Sequence, residues 1–582
     1  MRRLPTTIRL AFAVLVAVWP AVPARAVEVS EVRWGFDGST VPQRVNVLSI
    51  LLENDDGRPF DDVLVLTRGY GIGDRLGARL VEPCYLAPFT SRWVQFFPYV
   101  GNDSQEWVLR MGERRETLPS PVRGAPAAVC LTASGSLLQG RAGLRTFSDE
   151  LFPLTVAATD GLAAVVLDYV PRWEPVRCRA FVDWLRRGGT LHLLPAGGEY
   201  PRFGGELSIL NTPTDRVRVG SGLVVRHRAV RGDVTREFLA KAGCPLPESP
   251  PASPGFQTLD ESLLAGLKEI VRPEHEWTLI YLGLIAYLIL IGPVNYLIGR
   301  RAARYRLAIG FFLCAAMAAT WAMGTLGRRG FGEVSCVHSL AYAVPIDSGH
   351  YDVTQWVNVF VTHGDEYAIR HAAEHNLYAA CETHEAVSGM IQASGGGRFH
   401  VDIPRFSNRP FLHRARLDGP PLDLEVREWT QQSRLEALTL STGEEFAQDV
   451  VRAWVLHKDT LYPLRRDGSA LRLGGGRRER VSQFVMERTA DLRTFQHPYQ
   501  RPQTVEPREA AEELAPALIV RAIGDGNEPG GWNTSSPEDE DAQLFVLAES
   551  PPGFGVRAEG LGSETGFVLY HVRLHRPENT DE

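Results

Sequence analysis

The run His371-Ala-Ala-Glu374-His375 is the sharpest chemical signature in this 582-residue chain. On a helix, H-x-x-E-H sets two imidazoles on one face with a carboxylate beside them. Cys381 and His384 follow closely and would add ligands. Zinc held there would lower the pKa of a bound water, with Glu374 as general base. The motif is short, however, and the chain carries 15 histidines. Peptidases built on this pattern also need a carboxylate from a second helix. After His384 the sequence turns to Gly395-Gly-Gly397 and then to strand-like runs. The reading adopted is a solvated polar segment, with a zinc hydrolase at His371, Glu374 and His375 as the alternative.

Other signatures are weaker. No G-x-x-x-x-G-K-[ST] and no G-x-S-x-G occurs. Gly474-Gly-Gly-Arg-Arg-Glu-Arg480 is glycine-rich and basic, but no strand-to-helix context follows, so a hairpin loop explains it better than a phosphate cradle. Thr132-Ala-Ser-Gly-Ser136 reads as an ordinary helix N-cap region. Cys130 falls inside a strand pattern and Cys178 inside a helix, not on an exposed elbow where a lowered pKa makes a nucleophile.

The elements that would position a ligand site lie in residues 121–270. Ala127–Leu131 and Leu162–Leu167 are short buried-strand patterns, the second ending in Asp168. A helix starts near Pro175, buries Phe181, Trp184 and Leu185 on one face, and ends at Gly188-Gly189. Thr190–Leu194 is the next strand, followed by Gly197-Gly198. Strand, helix, strand at this spacing predicts an open parallel α/β sheet. Asp168, Gly197 and Gly198 would sit at the strand carboxyl ends, the usual crevice for a small polar ligand.

Val165-Val-Leu-Asp-Tyr169, with Phe181-Val-Asp-Trp-Leu-Arg-Arg-Gly-Gly-Thr-Leu-His-Leu-Leu194, resembles the class I glutamine-amidotransferase-like fold, which shares flavodoxin-like architecture. The likeness is strongest to degenerate versions in uncharacterised bacterial membrane proteins, which Glu31-Val-Arg-Trp-Gly-Phe-Asp-Gly38 and Gly292-Pro-Val-Asn-Tyr-Leu297 also resemble. The resemblance implies a nucleophilic cysteine on a glycine-flanked turn with a downstream His-Glu pair. Here that turn reads Pro195-Ala-Gly-Gly-Glu-Tyr200, without cysteine, so the domain is expected to be inactive.

The rest of the chain sets location. Met1-Arg-Arg, an apolar run from Ile8 to Trp19 and Ala24-Arg25-Ala26 form a secretory signal pattern, with residues 1–26 removed. Two charge-free apolar runs, Trp277–Gly299 and Leu307–Leu326, are each about 20 residues, enough for a bilayer crossing. Arg300, Arg301, Arg304 and Arg306 between them place the turn in the cytoplasm by the positive-inside rule. Residues 277–326 are therefore expected to be a transmembrane hairpin in the bacterial inner membrane, with both large flanks outside the cytoplasm. Gly292-Pro293 predicts a kink in the first span.

Residues 27–120 alternate as a β-sandwich, and 327–582 read as β-rich, with a polar acidic insert at 524–541. The formal net charge is −7, and loss of Arg2, Arg3, Arg9 and Arg25 takes it to −11. That balance argues against nucleic acid as a partner. The seven cysteines are too scattered for a disulfide framework. The combined expectation is a multidomain envelope protein without evident catalysis or cofactor. Its partners are the lipid bilayer and an envelope protein, and it serves interaction or ligand sensing, on its own or within a larger membrane complex.

Overall fold

The computed structural model describes residues 27–576 except 70–75, 102–105, 134–142, 212, 245, 247–258, 271–276, 303–304, 330–334, 382–385, 432–433, 444, 447–449, 485, 488–505, 525–540 and 559. The expected signal segment, Ser134–Ser136, Arg304, His384 and most of the acidic insert lie outside the described residues. The chain is multidomain and strand-rich, with two apolar helices in its middle.

The first part supplies β1 (Glu28–Trp34), β2 (Leu48–Asn54), β3 (Phe60–Gly69), β4 (Leu76–Leu86), β5 (Thr90–Phe96), β6 (Glu106–Met111) and β7 (Arg114–Leu118). Period-2 patterning explains them. In β6, Trp107, Leu109 and Met111 point inward, while Glu106 and Arg110 face solvent. One sheet runs β1-β2-β5. The other contains β7-β6-β3-β4, and the two enclose Trp34, Ile50, Leu66, Phe96 and Leu109.

Next come β8 (Ala127–Thr132), β9 (Arg145–Ser148), β10 (Leu162–Leu167), helix α1 (Pro175–Arg187), β11 (Thr190–Leu193), β12 (Arg216–Val219) and β13 (Gly222–Arg226). The sheet order is β9-β8-β10-β11-β13-β12, all parallel except the edge strand β12. Continuous apolar runs such as Leu-Ala-Ala-Val-Val-Leu suit strands covered on both faces. Pro175 opens α1, and Gly188, at φ 137°, closes it with its N–H on Leu185 O. Trp184 fixes the helix to the sheet through Nε1 on Leu162 O at 2.9 Å.

Helix α2 (Leu259–Ile270) precedes the apolar pair: α3 (Trp277–Ile289), a π-helical turn at Leu290–Val294, α4 (Asn295–Ala302) and α5 (Tyr305–Arg329). Thr278–Arg300 and Ala308–Thr325 are long and apolar enough to cross a membrane, and neither is buried against the rest of the protein. Pro293 sits inside the π turn. Proline lacks an N–H and crowds the carbonyl one turn back, and the wider turn relieves both problems.

The last part contains β14 (Cys336–Pro345), β15 (His350–Val361), β16 (Asp365–Ile369), β17 (Asn376–Ala379), β18 (Ala386–Gln392), β19 (Arg398–Ile403) and β20 (Ser407–Asp418). Five strands between Leu424 and Leu473 follow, then helix α6 (Pro507–Gly524), β21 (Ala542–Glu549) and β22 (Ser563–Leu574). A large sheet runs β17-β20-β15-β14-β22-β21 and continues into the five intervening strands. Residues 507–524 carry no strand, although 327–582 reads as mostly β. Alanines 510, 511, 515 and 517 favour helix, and α6 is apolar around most of its circumference because it is buried against α2 and β22.

The two flanks of the hairpin interlock. β18 pairs in parallel with β4, so one sheet runs β7-β6-β3-β4-β18-β19-β16. Arg187, at the end of α1, reaches Asp160 and Asp352, each at 2.8 Å. Arg414 on β20 reaches the same two carboxylates at 2.6 and 3.1 Å. Burial alone would raise the Asp160 pKa; Arg414 and Arg187 outweigh it and hold the carboxyl below its usual range. All seven cysteines are free thiols.

Candidate functional site

The switch point of the α/β sheet lies between β8 and β10, where the strand order reverses. Asp168 follows β10 there, as the sequence pattern placed it. Its carboxylate is gripped by Arg231, with Nε on Oδ2 at 2.9 Å and Nη2 on Oδ1. Arg231 Nη2 also donates to Leu131 O at 2.9 Å, so one guanidinium spans the gap between the two strands. Tyr169 donates to the buried carboxylate of Asp149 at 2.9 Å, and burial pushes its hydroxyl pKa upward. Gly197 and Gly198 form an exposed turn at φ 64° and 95°, closed by reciprocal backbone bonds between Ala196 and Glu199. Side chains there would meet no atom within 4 Å. Cys130 is buried in β8, and burial pushes its thiol up to about 11, so it is no thiolate at neutral pH.

Sequence reasoning missed two histidines beside this edge. His192 on β11 and His227 after β13 face each other, Nδ1 to Nε2, at 2.9 Å. Burial, with His227 adding to it, takes His192 down to about 3.

The His371–His375 stretch is not helical. Asn376 governs it: its backbone N–H donates to Gly396 O at 3.2 Å, and its side-chain amide donates to Ala373 O and Gly396 O. Such side-chain bonds compete with helix formation. The two imidazoles therefore do not share a helix face. His371 is buried, contacts Tyr378 Oη through Nδ1 at 3.1 Å, and stacks on His413 at 3.5 Å. Burial holds it down to about 3. Glu374 is exposed, with its carboxylate 3.7 Å from Arg179. Cys381 is buried, and its thiol pKa is pushed up by that burial. Among the described residues, no three His, Cys, Asp or Glu side chains assemble as a metal-binding group.

A third constellation joins distant segments. Asp260 on α2 is 3% exposed. It accepts from the Tyr99 hydroxyl, from Trp356 Nε1 at 3.0 Å and from Arg521 on α6. The Arg521 guanidinium also lies over the Trp356 ring at 4.9 Å. Burial and the Asp260 charge both raise the Tyr99 pKa. The sequence signal for this hub was a lone charge inside an apolar run, in Leu514–Ile523 for Arg521.

No family model matches the chain, and no curated protein matches it. Among solved structures, the chain is similar to the zebrafish (Danio rerio) Fcho1 Mu homology domain with bound Eps15 peptide, at 8% identity and TM-score 0.21, over 41% of this chain and 95% of that one. It is also similar to a glycosyl hydrolase family 2 member from Bacteroides cellulosilyticus, at 7% identity and TM-score 0.13, over 94% of this chain and 79% of that one. Neither likeness bears on what this chain does.

Proposed function

We propose that the chain is a membrane-tethered interaction or ligand-sensing protein of the bacterial cell envelope, without catalysis of its own, its soluble body outside the cytoplasm. One observation carries this reading. Segments before and after the hairpin are interlocked by β4–β18 pairing and by the Asp160–Arg414 and Asp260–Arg521 ion pairs. That interlock supports a hairpin whose two ends leave the bilayer on one side. The four arginines at the turn favour the cytoplasm for the turn itself, and the signal-like N-terminus favours export. The amidotransferase resemblance, with no cysteine at its glycine turn, supports binding over chemistry, with the strand carboxyl ends around Asp168, Gly197 and Gly198 as the ligand position.

Alkaline phosphatase fused after residue 270 or after residue 335 is expected to be active, and a fluorescent protein inserted at the turn to be fluorescent. The opposite pattern removes the reading. Purification from membranes is expected to recover an envelope protein with the chain; recovery only as a lone monomer counts against the interaction role. Purified protein is expected to contain less than about 0.2 equivalents of zinc by elemental analysis, far from the stoichiometric content of a true site. One equivalent lost on substitution of His371 and His375 would restore the zinc alternative.

A further inference from the structure

We propose that the end of the soluble body formed by the turns at 362–364 and 404–406 sits on the phospholipid headgroups of the bilayer, with the Arg405 guanidinium on a lipid phosphate. This rests on the hairpin reading above and adds to it the surface that faces the membrane.

Both chain segments that lead to the hairpin leave the body at one end. β14 starts at Cys336, β15 ends at Val361, and β20 and β22 start at Ser407 and Ser563. Register sets these four strand ends side by side: Cys336 lies opposite Phe360 and Ser563, and Val361 lies opposite Ser407. Helix α2 ends there too, since Leu267 O in its last turn accepts from Asn358 on β15. From Ile270 to Trp277, and again from Arg329 to Cys336, the chain advances seven residues, which span at most about 25 Å. β15 has 12 residues, so the opposite end of the sheet lies about 40 Å further off. With the hairpin in the bilayer, the end bearing these four strand termini is the one held near lipid.

The two turns meet around the residue where the second tether enters. Ser335 Oγ accepts from the Thr362 N–H at 3.1 Å, and Arg405 Nε donates to Thr362 O at 3.2 Å. Gly364 lets the turns close on each other, since a Cβ there would lie 2.8 Å from Arg405 N. The Arg405 guanidinium sits over the Phe406 ring at 4.9 Å. Arg405 is exposed, and among the described residues its terminal nitrogens have no hydrogen-bond or carboxylate partner.

An exposed arginine is ordinarily just solvated. Two features set this one apart. Its fork is already fixed by Thr362 O and the Phe406 ring, so taking up a phosphate freezes little further motion. It also stands where the tethers bring the bilayer within reach, and a phosphate accepts the parallel donors of a guanidinium in charge-assisted bonds. Asp365 and Glu366 follow Gly364 and are exposed as well, so this rim carries both signs. A headgroup with a phosphate and an ammonium, as in phosphatidylethanolamine, offers a counter-charge to each. A free phosphate or an acidic polymer offers it only to Arg405.

The test uses the full-length protein in vesicles of phosphatidylethanolamine and phosphatidylglycerol. A photoreactive benzophenone side chain is placed singly at His363, Phe406, Leu288 or Ser348, and adducts are read by mass spectrometry. His363 is exposed, so its replacement disturbs no core packing; Leu288 lies in the first span, and Ser348 is exposed at the opposite end of the sheet. The expected result is a phospholipid adduct at His363, Phe406 and Leu288 and none at Ser348. Arg405→Glu is expected to lower the His363 adduct severalfold and to leave the Leu288 adduct unchanged. Lipid at Leu288 with only protein adducts, or none, at His363 and Phe406 overturns the proposal and leaves the hairpin standing. Equal lipid yields at Ser348 and His363 also overturn it. Absence of lipid at Leu288 removes the hairpin reading, and the proposal with it.

Discussion

Replacing Asp260 with alanine is expected to destabilise the protein by about 3–5 kcal/mol, the usual cost of removing one partner from a buried ion pair. The size follows from what remains. Arg521 is 6% exposed, and without Asp260 its guanidinium keeps the cation–π contact with Trp356 but loses its carboxylate. The Trp356 Nε1 and Tyr99 hydroxyl lose their acceptor in the same step. The comparison that isolates the charge is the double variant Asp260→Leu/Arg521→Met. Apolar replacement of both members of a buried pair is often close to neutral, so the double variant should recover most of the loss.

An exposed pair gives the contrast. Arg472 and Asp467 lie 3.2 Å apart with side chains 60% and 63% exposed, and such pairs contribute about 0–1 kcal/mol. Asp467→Ala should therefore leave the urea midpoint of the detergent-purified protein nearly unchanged, while Asp260→Ala lowers it strongly. Equal shifts for the two, or a double variant as unstable as Asp260→Ala, would show that the hub is not held by its ion pair. The hub also matters for how the hairpin is anchored. Helix α2 is the last described segment before the first apolar span, and Asn358 ties it further by donating to Leu267 O at 3.2 Å.

What could be read from sequence was whatever is punctuated locally. The strand at Leu162–Leu167 and the helix from Pro175 to its glycine cap stand where the pattern put them, because apolar runs, a first-turn proline and a double glycine act within a few residues. Helix α6 escaped because its second half, Leu514–Ile523, is buried almost all round and shows no 3.6-residue stripe. The interlock of the flanks escaped for a different reason. Arg414 and Asp160 are 254 residues apart, and no local pattern assigns a partner at that distance. The H-x-x-E-H reading depended on an assumed helix. Asn376 and the Gly395–Gly397 loop, outside the motif, determine its backbone. Similarly, Asp168 was placed at a strand end by pattern, but Arg231, 63 residues later, turns that position into a paired carboxylate.

Acidification is expected to unfold the soluble body well before its carboxylates protonate. Burial pushes His192, His371 and His571 down to about 3 each. His571 shows why neutrality is built in. Its Nδ1 lies 2.6 Å from the Tyr342 hydroxyl, its Nε2 3.1 Å from Gln543 Oε1, and its ring stacks on Phe545 at 4.7 Å, with the Arg573 charge opposing protonation. The sign follows from proton counting. These folded-state pKa values lie below the ordinary histidine value near 6.5, so below about pH 6.5 the unfolded chain binds more protons than the folded one. Their contribution is complete above that pH and is lost progressively as pH falls toward 3. Asp160, Asp347 and Asp541 have depressed pKa values and act in the same direction, but only from about pH 5 downward. Glu82 and Asp183, raised by burial, act in the opposite direction near the carboxylate range, and so leave the limb between about pH 6.5 and 5 to the histidines. One pKa unit corresponds to about 1.4 kcal/mol, so even one such ring gives a measurable slope. Thermal midpoints of the full-length protein should stay nearly level from pH 7.5 to about 6.5 and fall from there to pH 5. His571→Asn, which can keep one hydrogen bond while removing the titrating ring, should make that slope shallower. Midpoints that stay level across the interval would mean these imidazoles are not kept neutral by burial.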